Sequence, residues 1–289
     1  MPKAKMRKWL IVILVLFIIV LFIGYLAISS DLRQTDEEVS ESFREKGVQC
    51  QIFHLPYRNI SIRYITSGLD TKVADVGIMF IHGAPGASDA FYPYQMDTHL
   101  MSKASLISID RLGYGYSDYG NPETSLVEQA KAVQAVMDQV NLDKYIIVSH
   151  SYGCPVAAVL SAISSSVIDA NIMVSPVIHP EYEKIFFFSP WPSSFPLKYF
   201  SSGAMYVAGV EKMSHADELH KVEALWKDLK VPTIIMYGMK DWIAPSENAS
   251  YLNDKVSPEY LTIDIDSSAS HFIIWDQMPE VIAYINQYL

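Results

Sequence analysis

The run Tyr145-Ile146-Ile147-Val148-Ser149-His150-Ser151-Tyr152-Gly153 decides how this chain is read. Four apolar residues have the look of a strand buried on both faces. A small-residue segment follows, 154–162, with the composition of a helix packed closely on a sheet. A serine at the sharp turn between such a strand and helix has its hydroxyl exposed above the sheet. That is the geometry of a nucleophile elbow, usually written G-x-S-x-G. Here Ser149 stands at the first glycine position, so the flanking sequence has to decide the matter.

Outward from this stretch, strands and helices alternate. Residues 51–55 and 60–66 form an expected antiparallel pair, broken by Pro56 and Asn59. Apolar strands are expected at 76–81, 105–109, 144–148 and 170–174, and again at 231–237 and 260–265. Helices are expected at 88–101, 154–162, 246–255 and 279–289. Another follows a cap at Thr124 or Ser125, with Val127, Ala130, Val133, Val136, Met137 and Val140 at helical spacing. This order predicts an α/β fold: a mostly parallel sheet of eight strands with helices on both faces. Residues 176–229 break the alternation with prolines and aromatics, and helical patches are expected at 181–188 and 215–227. They read as a helical lid inserted above the carboxyl ends of the strands, where α/β proteins bind ligands. The core then comprises 49–175 and 230–289.

The first thirty residues are a separate unit. Lys3, Lys5, Arg7 and Lys8 precede an uncharged stretch at 9–28, and Asp31, Asp36, Glu37, Glu38 and Glu41 follow it. Some 20 apolar residues span about 30 Å as a helix, the thickness of a bilayer core. Residues 1–30 are thus read as an N-terminal transmembrane signal anchor and 31–48 as a juxtamembrane spacer. The charge asymmetry puts the N-terminus in the cytoplasm and the catalytic part outside it, periplasmic or at the cell surface. A cleaved signal peptide is the alternative, with Ala27-Ile28-Ser29 as the cleavage site, but the apolar run exceeds the roughly 7–15 residues of a signal core.

Composition bounds the rest. Of 289 residues, 50% are hydrophobic and 19% charged, enough for a large core. The net charge of -10 argues against nucleic acid as a partner. Cys50 and Cys154 make no disulfide framework and are expected as unbonded core residues. No His/Cys cluster has metal-ligand spacing, so neither metal nor cofactor is expected.

A serine hydroxyl needs a base to take its proton, and the base needs an orienting acid. At such elbows the acid and then the histidine follow in the chain. Asp241 sits in the loop after the strand ending at Tyr237, with Asp264 and Asp266 as rivals. His271 follows the last strand through Ser267-Ser268-Ala269-Ser270. His82 is expected to make structural hydrogen bonds near the site, and His150 to point elsewhere than Ser151. An oxyanion hole needs backbone N–H donors, each worth about 10²–10³ in rate. Tyr152 and, in the loop His82-Gly83-Ala84-Pro85-Gly86, Ala84 are the candidates.

Together with Asp110-Arg111-x-Gly113-x-Gly115-x-Ser117 and Ser270-His271-Phe272, these motifs resemble the α/β-hydrolase superfamily over residues 49–289. The His-Gly-x-Pro-Gly loop is similar to that of its proline iminopeptidase-like and C–C hydrolase branches. The resemblance implies Ser151 as nucleophile, His271 as general base and Asp241 as orienting acid. Ser149 and Ser270, where relatives carry glycine, depart from the pattern without removing a catalytic group. The leading expectation is a membrane-anchored serine hydrolase cleaving a carboxylic ester of an apolar acyl or aryl substrate, lipid-like substrates included. A proline iminopeptidase-like aminopeptidase, its lid carboxylates drawn from Glu181, Glu183, Glu211 and Glu218, is the alternative. A catalytically silent hydrolase fold used for binding is a third.

Overall fold

The computed structural model describes residues 33–70 and 74–289, together with 9, 12–16, 18, 19, 22, 24 and 26. Eight strands form one sheet: β1 Gln51–Tyr57, β2 Ile60–Gly68, β3 Val76–Ile81, β4 Ser105–Ile109, β5 Lys144–His150, β6 Ile168–Val174, β7 Thr233–Gly238 and β8 Leu261–Asp266. Their order is β1-β2-β4-β3-β5-β6-β7-β8. β2 pairs antiparallel with both β1 and β4, and every other pairing is parallel.

Both faces are covered, which is why the central strands read as unbroken apolar runs. Along β3, Met79 and Ile81 join the core on one side, under α4 (Leu126–Val140) and α5 (Gly153–Ile163). Ile78 and Phe80 join the core on the other face, with Phe91 and Tyr94, and with Val281 and Ile285 of α9 (Met278–Ile285). Each such fully buried side chain contributes about 1.5–3 kcal/mol. Ser125 caps α4, its hydroxyl accepting from the Glu128 N–H. Asn141 closes that helix in the left-handed conformation.

Several expected helices are shorter or broken. The segment expected as one helix at 88–101 is a 3₁₀ turn followed by α2 (Tyr92–Gln95) and α3 (Thr98–Met101). Pro93 starts the second piece, and Asp97 caps the third by accepting from the Leu100 N–H. In the insertion between β6 and β7 the patch expected at 181–188 is only a 3₁₀ turn and loop, whereas that at 215–227 is helical, the end of one long helix, α6 (Gly203–Val222), and the 3₁₀ turn Glu223–Asp228 after it. Three further helices are α1 (Asp36–Glu45), α7 (Glu247–Ser250) and α8 (Ile273–Asp276).

The expected anchor at 1–30 lies largely outside the described residues. Among the described residues no helix is long and apolar enough to cross a membrane. The spacer, by contrast, is folded. A Thr35–Glu38 capping box starts α1, and Val39 and Phe43, four residues apart, are fully buried against Ile65 and Tyr92. Arg63 donates to the Gln34 carbonyl at 2.7 Å. Residues 33–45 are thereby packed onto the sheet.

Candidate active site

The elbow is built as its sequence implies. β5 ends at His150, Ser151 takes φ +52°, and α5 begins at Gly153. A positive φ at a non-glycine residue is a strained conformation held by its surroundings. Here the Ser151 N–H donates to the Val174 carbonyl, and the Ser151 carbonyl accepts from Cys154. The glycine this turn cannot do without is Gly153, whose Cβ would meet the Ile81 carbonyl oxygen at 2.4 Å. Ser149 sits inside the strand, its hydroxyl donating weakly to the Ile172 carbonyl at 3.4 Å. A side chain is accommodated there, so the missing first glycine costs the turn little.

Ser151, His271 and Asp241 form one hydrogen-bonded chain. His271 Nε2 is 3.0 Å from Ser151 Oγ, and His271 Nδ1 is 2.6 Å from Asp241 Oδ2. The second Asp241 oxygen accepts from the Ile243 and Ala244 N–H groups, both at 2.8 Å. With Asp241 Oδ2 as its acceptor, the imidazole is fixed with its hydrogen on Nδ1. Nε2 then offers a lone pair to the serine hydroxyl. The loops carrying the acid and the histidine are stitched together, Lys240 N–H donating to the Ala269 carbonyl. Asp264 instead accepts from the Tyr284 hydroxyl. Asp266 shapes its own turn through Ser268 and Ala269, bonds that lower its pKa to about 2. Neither rival bonds to His271.

Two cavities meet at Ser151. The larger, about 730 Å³, is lined by His271, Phe272, Trp275, Asp89, Tyr119 and Arg33. The smaller, about 240 Å³, runs under the insertion past Val177, Phe186, Met205 and Ala208. Ala84 lines both, and Tyr152 lines the smaller. Gly83 packs so tightly on the elbow that a Cβ there would lie 3.1 Å from Ser151 Cβ.

His82 and His150 both have defined roles in this frame. His82 Nδ1–H donates to the Gly83 carbonyl and Nε2 accepts from the Arg111 N–H. Burial, with the nearby Arg111 charge, pushes its pKa well below the ordinary value, so it serves as a neutral clamp on the loop holding Ala84. His150 Nε2–H donates to the His271 carbonyl at 3.0 Å, and its ring meets Trp275 edge-on. It does point away from the serine hydroxyl, and what it holds is the backbone of the histidine opposite.

The insertion is fastened to the core by a pairing that the sequence pattern did not show. Arg111, just after β4, pairs in two-pronged fashion with Glu211 of α6, at 2.8 and 3.2 Å, both side chains fully buried. Arg111 also donates to the His82 and Gly83 carbonyls, and the Tyr114 hydroxyl donates to Glu211. Burial alone would lower the Arg111 pKa, but the Glu211 charge and hydrogen bonds raise it. The preceding Asp110 collects the N–H groups of Ser88 and Tyr116 and the Arg63 guanidinium. Gly115 is obligatory beside it, since a Cβ would sit 2.0 Å from an Asp110 oxygen. The Asp-Arg-x-Gly-x-Gly motif is therefore a brace between loop, sheet and insertion.

The comparisons agree with this architecture. The family profile described as alpha/beta hydrolase fold matches residues 78–199. The peroxisomal α/β-hydrolase Lpx1 of Saccharomyces cerevisiae superposes with a TM-score of 0.64 at 12% identity, covering 83% of this chain and 87% of that one. A membrane phospholipase A, described as a bacterial virulence factor, superposes with a TM-score of 0.63 at 14% identity, covering 98% of this chain and 97% of its own. In sequence, a protein of Arabidopsis thaliana named "Probable lysophospholipase BODYGUARD 4" is 32% identical over 108 residues, 36% of this chain. The match spans about a quarter of that relative's length, 25%. The chain has the α/β-hydrolase fold.

Proposed function

We propose that this hydrolase is a serine esterase acting on a lipid-like carboxylic ester through an acyl-enzyme. The observation that carries the reading is the Ser151–His271–Asp241 hydrogen-bonded chain at the junction of two cavities. His271 Nε2 takes the hydroxyl proton as Ser151 Oγ attacks the ester carbonyl, and Asp241 stabilises the imidazolium. The N–H groups of Ala84 and Tyr152 hold the oxyanion. Collapse expels the alcohol with the proton from His271. Water, deprotonated by the same histidine, then releases the acid.

The lipid-like substrate is supported by the apolar lining of the smaller cavity and by the names of the Arabidopsis relative and the membrane phospholipase A. The insertion also leaves Phe187, Phe195 and Tyr199 exposed, the first at 80%. Aromatic rings so placed favour a membrane interface. An anchor at 9–28, with the catalytic part outside the cytoplasm, fits the same picture. Arg33 lines the larger cavity. A tether ending five residues earlier in the sequence would hold the cavity close to the bilayer.

An aminopeptidase needs a carboxylate for the substrate's amino group, and the four candidates are engaged elsewhere. Glu211 is bound by Arg111 and Tyr114, Glu183 by Lys212 and His215, Glu218 by Lys221, and Glu181 pairs with His220. Parallel assays on a nitrophenyl ester and a prolyl arylamide separate the readings. Ester turnover alone is expected, and arylamide turnover alone would overturn the assignment.

A further inference from the structure

The outer surface of the insertion is aromatic, and it is continuous with the loop of the triad's acid. Phe195 and Tyr199 are 79% and 70% exposed, and Phe187, Trp191 and Trp242 are exposed as well. The rings touch in series. Trp191 meets Phe187 with centroids 5.5 Å apart, and Phe187 meets Phe188 at 5.2 Å. Phe188 stacks on Phe186 at 5.3 Å, and Phe186 meets Trp242 at 5.6 Å. Trp242 directly follows Asp241. Apolar residues scattered singly over a surface mean little, but a connected patch marks an interaction site. Phe186 and Phe188 also line the smaller cavity, so the patch and the route to Ser151 share a wall.

The charge of the segment selects the partner. The chain carries a net charge of -10, yet residues 184–210 hold no Asp or Glu. Their two charges are Lys184 and Lys198. Each lies against a ring of the segment: Lys184 Nζ is 5.1 Å from the Phe186 centroid, and Lys198 Nζ is 5.2 Å from that of Tyr199. A lysine stem laid along apolar surface with its ammonium at the edge suits the headgroup level of a bilayer, the depth that Trp and Tyr also favour.

A second copy of the chain fits this surface poorly. A symmetric contact would oppose two such segments, four lysines without a carboxylate between them. An anionic leaflet supplies the missing charge, and each lysine near it is worth roughly a fivefold preference. The remaining acidic surface is repelled by such a leaflet, but over more than about 8 Å salt screens that repulsion. Approach through the acid-free segment is therefore the favoured orientation.

We propose that residues 184–200, with Trp242, form a docking surface for an anionic lipid leaflet. An ester leaving the leaflet there passes Phe186 and Phe188 into the smaller cavity and reaches Ser151 without crossing water. The entry route rests on the esterase reading above, whereas the docking surface does not.

The test uses the full chain carrying Ser151→Ala and Cys50→Ser, in nanodiscs of phosphatidylcholine or of an equal mixture with phosphatidylglycerol. A fluorescent dye is attached at Phe195→Cys or at Asp143→Cys, the latter exposed before β5 at the strand end opposite Ser151. Cys154 is buried and stays unlabelled. In the mixed discs, nitroxide-bearing acyl chains should quench the dye at 195 and not the dye at 143. The ratio of docked to free chain should fall about tenfold or more in pure phosphatidylcholine, and likewise in Lys184→Glu with Lys198→Glu. Equal quenching at the two positions overturns the proposal, as does quenching at 195 that ignores lipid charge. Shielding of the dye at 195 by self-association, without quenching, overturns it in favour of a second copy. For the route, Phe187→Ser with Tyr199→Ser in the active chain should lose about tenfold on a vesicle-borne nitrophenyl ester and keep its turnover of soluble nitrophenyl acetate. Undiminished turnover of the vesicle-borne ester overturns the route. A wild type inert to both esters overturns the esterase reading and the route with it, and leaves the docking surface to be decided by the quenching.

Discussion

His271 Nε2 lies 3.0 Å from Ser151 Oγ although 120 residues separate them in sequence. The approach is produced by two ties on the histidine loop: Asp241 at Nδ1 and His150 at the backbone carbonyl. Both can be cut separately, and they should fail differently.

Asp241→Asn removes the charge that fixes the His271 tautomer while keeping the shape. We expect kcat on a nitrophenyl ester to fall about 10³–10⁴-fold with the melting temperature little changed. Asp264→Asn, which loses only the Tyr284 contact, should retain activity. Equal activity of Asp241→Asn and wild type would remove Asp241 from the machinery.

The buried Arg111–Glu211 pair predicts a stability effect far from the serine. Arg111→Met leaves the Glu211 carboxylate uncompensated in the interior and should cost about 3–5 kcal/mol. In a chain of this size that is roughly 5–8 °C of melting temperature. Arg111→Met combined with Glu211→Leu should recover much of the loss. Thermal unfolding followed by circular dichroism checks both, and a single variant melting like wild type contradicts the brace.

His150 predicts a pH dependence. Burial, and secondarily the His271 charge, lower its pKa from 6.5 to about 3. Between those values the unfolded chain binds a proton that the native residue refuses. Stability from this group is therefore full above pH 6.5 and declines as pH falls, by up to about 1.4 kcal/mol per unit. His82 shifts in the same direction. Denaturant unfolding at pH 7 and pH 5 should show a smaller difference in His150→Gln than in wild type. An identical difference would exclude His150 as a source.

The two elbow positions two residues before and after Ser151 give opposite expectations. Gly153→Ala forces a Cβ into the Ile81 carbonyl and should unfold or inactivate the protein. Ser149→Gly removes only a weak hydrogen bond and should lose no more than about 1 kcal/mol. Expression, melting temperature and ester turnover of the two variants check the contrast.

The central sheet was legible because strands such as 76–81 and 144–148 are buried on both faces and announce it with apolar runs. The elbow was legible because strand, turn and small-residue helix are local. The insertion was not. α6 buries Glu211, His215 and Glu218, polar residues to which no apolar periodicity points. Their partners, such as Arg111 and Glu183, come from distant segments and appear only once the chain is folded. The spacer hid its docking in a single i, i+4 pair, Val39 and Phe43, within an otherwise charged run.

The central claim is that Ser151 is the nucleophile, and labelling by a fluorophosphonate probe tests it most directly. The folded wild type should be labelled covalently and Ser151→Ala should not. A folded wild type that resists the probe, or a Ser151→Ala variant labelled equally well, would contradict the account.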